Sequence, residues 1–263
     1  MNKVVYSQWS KPAKDDFVGF WSKEAFANCA QLSLYHSKKW FKDVELVTDE
    51  KGYKFLIEEL QLPFTNVVVE LNKLDYIHKQ HWSLGKIYAC KIQKEPFMHQ
   101  DFDVVWFKKP KQKLLSADAA FQSKESDESF HSYYRPLMNH AKLNDFALNE
   151  YCNLDVVRAY NCGIMAFNNL SILDKWWELA LDYAEKNNTD MGIEFPPIFV
   201  EQFLVHYLCE HYKFKVETIG ENWVEPELAY DWGYMHLIAA SKRFPFIEER
   251  VYKTLTRLQQ ELN

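Results

Sequence analysis

Pro96-Phe97-Met98-His99-Gln100-Asp101-Phe102-Asp103-Val104-Val105-Trp106 reads as an extended segment. It closes a series of strand signals separated by helical ones, and that alternation decides the fold. Upstream, Val4–Gln8 reads as a strand and Glu24–His36 carries the apolar spacing of a helix. Val44–Thr48 is a second strand, ending at a turn over Asp49-Glu50-Lys51-Gly52. Tyr53–Leu60 is a helix stopped before Pro63. Asn66–Leu71, with the β-branched run Val67-Val68-Val69, is a short buried strand, and His81–Ile92 is helical. A β-α-β-α-β-α-β order predicts an α/β fold, with a largely parallel sheet and helices on its faces.

Downstream, Gln122–Asn149 is polar and mixed in charge, and reads as a mobile excursion or lid. Val156–Phe167 looks like a strand pair. Leu173–Glu185 and Phe199–Tyr212 are helices, and Pro245–Asn263 is a mixed-charge amphipathic helix that packs on the sheet. No repeat or Gly/Ser linker marks a boundary, so residues 1–263 are expected to form one domain.

Bulk composition excludes several classes. Only 7 of the 263 residues are glycine, against an average near 7%. There is no G-x-G-x-x-G fingerprint and no phosphate loop, so a bound nucleotide needs something other than a glycine cradle. A net charge of -6 argues against a nucleic-acid partner, which needs a positive surface. It leaves open a small phosphorylated ligand held through a divalent cation. Five cysteines without a C-x-x-C point to reduced thiols rather than a zinc site or disulfide framework. Met1–Tyr6 lacks the apolar run of a signal peptide, and no stretch approaches the ~20 apolar residues of a spanning helix. A cytoplasmic protein with no transmembrane segment is expected.

Asp101 and Asp103 sit at i and i+2, and on an extended segment they project to one side. Two carboxylates facing one point repel, and a hard divalent cation, Mn²⁺ or Mg²⁺, relieves this while leaving positions for substrate phosphates. They lie where a strand ends, the usual ligand position in open α/β sheets. Surface loops also produce this triplet, so it gains weight only from its context.

That context is a resemblance. Asp101-Phe102-Asp103, then Tyr160-Asn161-Cys162-Gly163-Ile164-Met165-Ala166-Phe167-Asn168, then Glu201-Gln202-Phe203-Leu204, then His236-Leu237-Ile238-Ala239-Ala240-Ser241-Lys242 occur in this order. Together they resemble the motifs of the retaining GT-A glycosyltransferases, the group of the lipopolysaccharide galactosyltransferases and glycogenin. Val4–Trp9 and Trp82–Ala89 also resemble an uncharacterised bacterial glycosyltransferase-like group.

The resemblance implies a GT-A (nucleotide-diphospho-sugar transferase) fold, Rossmann-like, with a mostly parallel central sheet flanked by helices. It implies a hexosyltransferase moving sugar from a nucleoside-diphosphate donor, UDP-sugar favoured, to a glycan, lipid-linked or protein acceptor. It implies metal ligation by Asp101, Asp103 and His236, and contacts to donor phosphate by Lys242 and Lys86. Gln202 would stand beside the anomeric carbon, Glu201 would bind sugar hydroxyls, and Asn161 would bond a sugar hydroxyl beside Gly163. Tyr6, Ser7 and Gln8 end the first strand, which in this fold lines the base pocket, and Asp49 ends the second, near base or ribose.

One departure is Ala239, which stands where the family has glycine between His236 and Lys242. It keeps a second reading open, a nucleotide- or glycan-binding module with weak or no turnover. A glycosidase fits less well, because its two acids stand ~5–10 Å apart across a sugar. His99 reads as a half-buried strand residue and Trp176-Trp177 as core. Trp223, Tyr230, Trp232 and Tyr234 offer stacking faces for a sugar or base.

Overall fold

The computed structural model describes residues 1–12, 19–20, 22–125, 134–140, 146–152, 158–190, 196–220 and 232–262. Its centre is a seven-stranded sheet. The first half follows the expected alternation: β1 (Lys3–Gln8), α1 (Lys23–Trp40), β2 (Asp43–Thr48), α2 (Glu50–Tyr53), β3 (Asn66–Val69), α3 (Leu84–Lys91) and β4 (Phe97–Gln100). The later strands are β5 (Val104–Trp106), β6 (Ala119–Lys124), β7 (Tyr160–Phe167), β8 (Val216–Thr218) and β9 (Tyr234–His236). The sheet order is β3-β2-β1-β4-β7-β6-β8, while β5 and β9 form a separate two-stranded ribbon. β3, β2, β1 and β4 are parallel neighbours; β7 runs antiparallel to both β4 and β6, and β8 is parallel to β6. This is the mostly parallel, helix-flanked α/β sheet that the sequence predicts.

Strand alternation explains the two cores. Val5, Val47, Phe97, Phe121 and Met165 face one side, where they meet α3 and the helices Leu173–Lys186 and Leu204–His211. Val4, Tyr6, Leu46, Met98 and Ile164 face the other, where they meet α1 and the ribbon. The helix Pro245–Leu262 buries Ile247, Val251, Leu255 and Leu258 in this second core and packs on α1 rather than on the sheet. Strands covered on both faces read as apolar runs, as these do.

Several expectations are corrected. Asp49-Glu50-Lys51-Gly52 is not a turn: Asp49 caps α2, accepting from the Gly52 N–H at 2.7 Å, and a π-helical turn, Lys54–Glu59, continues it. β3 is not buried, because it is the sheet's edge, and Val69 is 41% exposed. The segment expected to leave the body at Gln122 instead belongs to β6 as far as Lys124, with short helices at Arg135–His140 and Phe146–Cys152 beyond it. The rest of the expected lid, 126–133 and 141–145, lies outside the described residues, as do Trp223 and Tyr230. Val156–Phe167 holds one described strand rather than a pair.

Strand order positions the site. From β1 the chain winds outward to β2 and β3, then returns to place β4 on β1's other side. Such a reversal opens a crevice at the strands' carboxyl ends, and Asp101 follows β4 directly.

Tyr6 illustrates what the second core demands. It is fully buried, and its hydroxyl is 2.9 Å from Ser33 Oγ and 2.8 Å from Ser37 Oγ, while Gln100 Nε2 donates to it at 2.6 Å. Tyr6 therefore anchors α1 to the sheet and does not line a base pocket. Tyr6→Phe is expected to cost about 1–3 kcal/mol in urea denaturation, the penalty for stranding buried polar partners, without changing nucleotide affinity.

Candidate functional site

Asp101-Phe102-Asp103 is a tight turn between β4 and the ribbon strand β5, not an extended stretch. Phe102 buries its ring against Tyr6 and Phe26, which leaves the two acids free to converge. The backbone fixes both ends of the turn. The Asp101 N–H donates to the Gly163 carbonyl at 3.0 Å, and the Leu237 N–H donates to the Asp103 carbonyl at 3.0 Å. The second bond continues the β5–β9 ladder, which sets His236 opposite Val104. Asp101, Asp103 and His236 each offer a ligand atom, all within 4.8 Å of one another.

Their chemistry fits a hard or borderline divalent cation. His236 Nδ1 lies 2.6 Å from Gln122 Oε1, a carbonyl that only accepts, so Nδ1 carries the proton. In a neutral imidazole Nε2 then presents a lone pair, and it lies 3.4 Å from Asp103 Oδ1. That oxygen is buried without a hydrogen-bond partner among the described residues. Two acceptors face each other, an arrangement a cation between them would resolve.

Two lysines balance the acids. Lys86 Nζ meets both oxygens of Asp101 at 2.7 and 2.9 Å, Glu201 Oε1 at 2.7 Å and the Cys162 carbonyl at 3.3 Å. Burial opposes its charge, but Asp101 and Glu201 outweigh this and hold its pKa well above the usual lysine range. Burial pushes the Glu201 carboxyl up, only partly countered by Lys86. Lys242 Nζ reaches Asp103 Oδ2 at 2.7 Å. Burial would raise the Asp103 carboxyl, yet the Lys242 ammonium beside it holds it far below the carboxylate range.

The other expected site residues are placed as follows. Glu201 and Gln202 lie in a π-helical turn, Phe199–Phe203, a geometry frequent at functional sites. Gln202 Oε1 accepts from the Tyr134 hydroxyl, and Glu201 Oε2 is buried without a hydrogen-bond partner among the described residues. Asn161 caps its own strand, accepting from the Gly163 N–H at 3.1 Å, and donates to Glu125 Oε1 at 3.2 Å. Both ends of its amide are thus engaged within the protein. Ser7 Oγ is 2.9 Å from Nε2 of the fully buried His99. Gln8 is buried, and its carbonyl accepts from Thr48. Asp49 Oδ2 accepts from the Ser10 N–H at 2.8 Å and hydroxyl at 2.7 Å, so its carboxylate holds a loop and a helix end rather than facing a ribose. Tyr234 is core, packed on Trp106, and Trp176 is fully buried.

Gln122, Glu125 and Tyr134 are the residues that sequence reasoning passed over. One signal was available for Gln122: a polar side chain following the apolar run Ala119-Ala120-Phe121.

Residues 2–261 match a family of unknown function (DUF6734), and the chain belongs to that family. No curated protein sequence matches significantly. Among solved structures, the inositol-1-phosphate CTP transferase from T. maritima is similar at 14% identity and TM-score 0.43, covering 96% of each chain. Mouse xyloside xylosyltransferase 1 is similar at 10% identity and TM-score 0.42, covering 82% of this chain and 83% of that one. The galactosyltransferase LgtC, solved with donor and acceptor sugar analogs, is similar at 9% and 0.41, covering 78% and 70%. Among the described residues, no helix is long and apolar enough to cross a membrane.

Removing Lys86 would strand Asp101 and Glu201. Lys86→Met is expected to destabilise the fold by about 3–5 kcal/mol at pH 7. The wild-type contribution persists at every pH below the unfolded lysine pKa near 10.4. The variant's deficit shrinks as pH falls through the carboxylate range, because the stranded acids then protonate. Denaturation midpoints of both proteins between pH 4 and 9 test this, and a deficit flat with pH would refute it.

Proposed function

We propose that this member of DUF6734 is a metal-dependent transferase acting on a nucleoside-diphosphate sugar, UDP-sugar favoured, with a glycan, lipid-linked or protein acceptor. The observation that carries the reading is the convergence of Asp101, Asp103 and His236 at the carboxyl end of β4, with Lys242 on the same carboxylate. The four-motif resemblance to retaining GT-A enzymes supports it, and stereochemical retention rests on that resemblance alone.

Mn²⁺ or Mg²⁺ held by Asp101, Asp103 and His236 Nε2 would act as a Lewis acid toward the departing diphosphate. The protein's own groups then have separate tasks. Lys242, released from Asp103, moves its ammonium to phosphate oxygens and stabilises the charge that develops as the glycosidic bond breaks. Lys86 stays between Asp101 and Glu201, paired with both carboxylates. It is an internal counter-ion rather than a phosphate contact. Glu201 Oε2 accepts from a sugar hydroxyl, and the Gln202 amide, steadied by Tyr134, faces the anomeric centre. Asn161 shapes the strand beside them.

A thermal-shift series with UDP, GDP and CDP, each with and without Mn²⁺, tests this. At ligand about 100-fold above its Kd the expected stabilisation is about 2.7 kcal/mol, a rise of roughly 5–10 °C. It should appear only when metal and nucleotide are both present, and Asp103→Asn should abolish it. Release of nucleoside diphosphate from its sugar should follow. Binding without release across donors and acceptors would mark a recognition module instead, and no shift with any nucleotide would overturn the assignment.

A further inference from the structure

The Asp101–Asp103–His236 cluster has a support behind it. We infer that Gln122 is a positioning residue that fixes the tautomer and orientation of the His236 ring. Its Oε1 holds the Nδ1–H, so that Nε2 is presented to Asp101 and Asp103 as the ligating atom. The inference rests on the metal reading above for its consequence, but not for its geometry.

Gln122 is only 2% exposed, and its Oε1 is 2.6 Å from His236 Nδ1. A buried amide on a central strand is costly unless bonded, and this one ends on the imidazole. The strand pair is built to aim it. β6 and β7 pair in regular register through Phe121 opposite Met165, and the register then shifts before Ser123 opposite Asn161. Bulges of this kind re-aim a side chain, and Gln122 sits at the irregularity. The other side of the cradle is Gly163. A Cβ there would lie 2.1 Å from His236 Cε1, 2.6 Å from its Nδ1 and 2.9 Å from Gln122 Oε1. The ring, the amide and the bare glycine backbone therefore fill one space, which leaves the imidazole a single seating. Outer-shell partners of this type fix a ligating histidine's tautomer, and their loss typically weakens metal affinity 10–100-fold.

Two variants separate the amide's role from simple packing. Gln122→Met keeps the length but removes the acceptor, and Gln122→Glu keeps an acceptor. The first readout is ¹⁵N NMR of histidine-labelled, metal-free protein at pH 8, with the His236 signals identified from a His236→Ala spectrum. Wild type and Gln122→Glu should show protonated Nδ1 and bare Nε2, whereas Gln122→Met should populate the opposite tautomer. The second readout is Mn²⁺ affinity by electron paramagnetic resonance, expected 10–100-fold weaker in Gln122→Met and within about threefold of wild type in Gln122→Glu. A wild-type ring protonated on Nε2 would overturn the inference, with no variant needed. So would a Gln122→Met protein that keeps the wild-type tautomer, or one that keeps wild-type Mn²⁺ affinity. If wild type binds no Mn²⁺ yet the tautomer follows Gln122, the positioning role stands and the metal reading fails.

Discussion

The site depends on what Gly163 lacks. Its carbonyl holds the start of the carboxylate turn through Asp101, and its missing Cβ leaves the space that His236 occupies. One residue of β7 therefore meets both the turn after β4 and the ribbon strand β9. Any larger residue would push the imidazole away, and the Leu237–Asp103 ladder bond with it. Glycine in a strand interior normally weakens the strand and marks a close approach. Here the approaching group is a side chain of the protein itself.

This constraint explains how two sheets share one site. The central sheet supplies Asp101 through β4 and Gln122 through β6. The β5–β9 ribbon supplies Asp103 at its start and His236 at its end. The ribbon lies over α1 and is held there by Trp106 and Tyr234 in the second core. Tyr6, Ser33 and Gln100 extend that anchorage inward: Gln100 Oε1 accepts from Trp106 Nε1 at 3.1 Å, and Ser33 donates to the Val104 carbonyl. The polar residues buried under the ribbon are thus structural, although several stand at strand ends where ligands bind in such folds.

That distinction was the part hardest to see in the sequence. The alternation over β1 to β4 was legible because each element is long or β-branched and is closed by turn residues. Asp101, Asp103, His236 and Lys242 were legible as a set because their order along the chain matched a known pattern. Tyr6 and Asp49 were misplaced because a strand end tells where a residue lies along the sheet, not what its polar atoms bond. Tyr6 shares a face with Val4 and so points at α1, whereas Asp49 meets the first turn of α2. β6 was hidden because Gln122 and Ser123 break its apolar pattern, and the break is where the site draws on it. The partner of Gly163 lies 73 residues downstream, at His236, a separation that no local pattern reports.

The charges at the site form a linked set, with two ammoniums facing three carboxylates. With a neutral His236 and all three acids ionised, the cluster of Lys86, Lys242, Asp101, Asp103 and Glu201 carries one net negative charge. Charge in a low-dielectric setting is costly when unbalanced, so on the proposed reading a divalent cation would be attracted, and its arrival would overshoot to one net positive charge. Lys242 then faces a cation across Asp103 and loses by staying. A diphosphate would correct both defects, since it would compensate the excess charge and give the displaced ammonium a new partner. Metal and diphosphate would then each improve the site for the other, and linkage makes such a coupling reciprocal. On the proposed reading, a chain with few glycines would in this way hold phosphate through exchangeable ion pairs, with Lys86 as the fixed counter-ion and Lys242 as the one that moves.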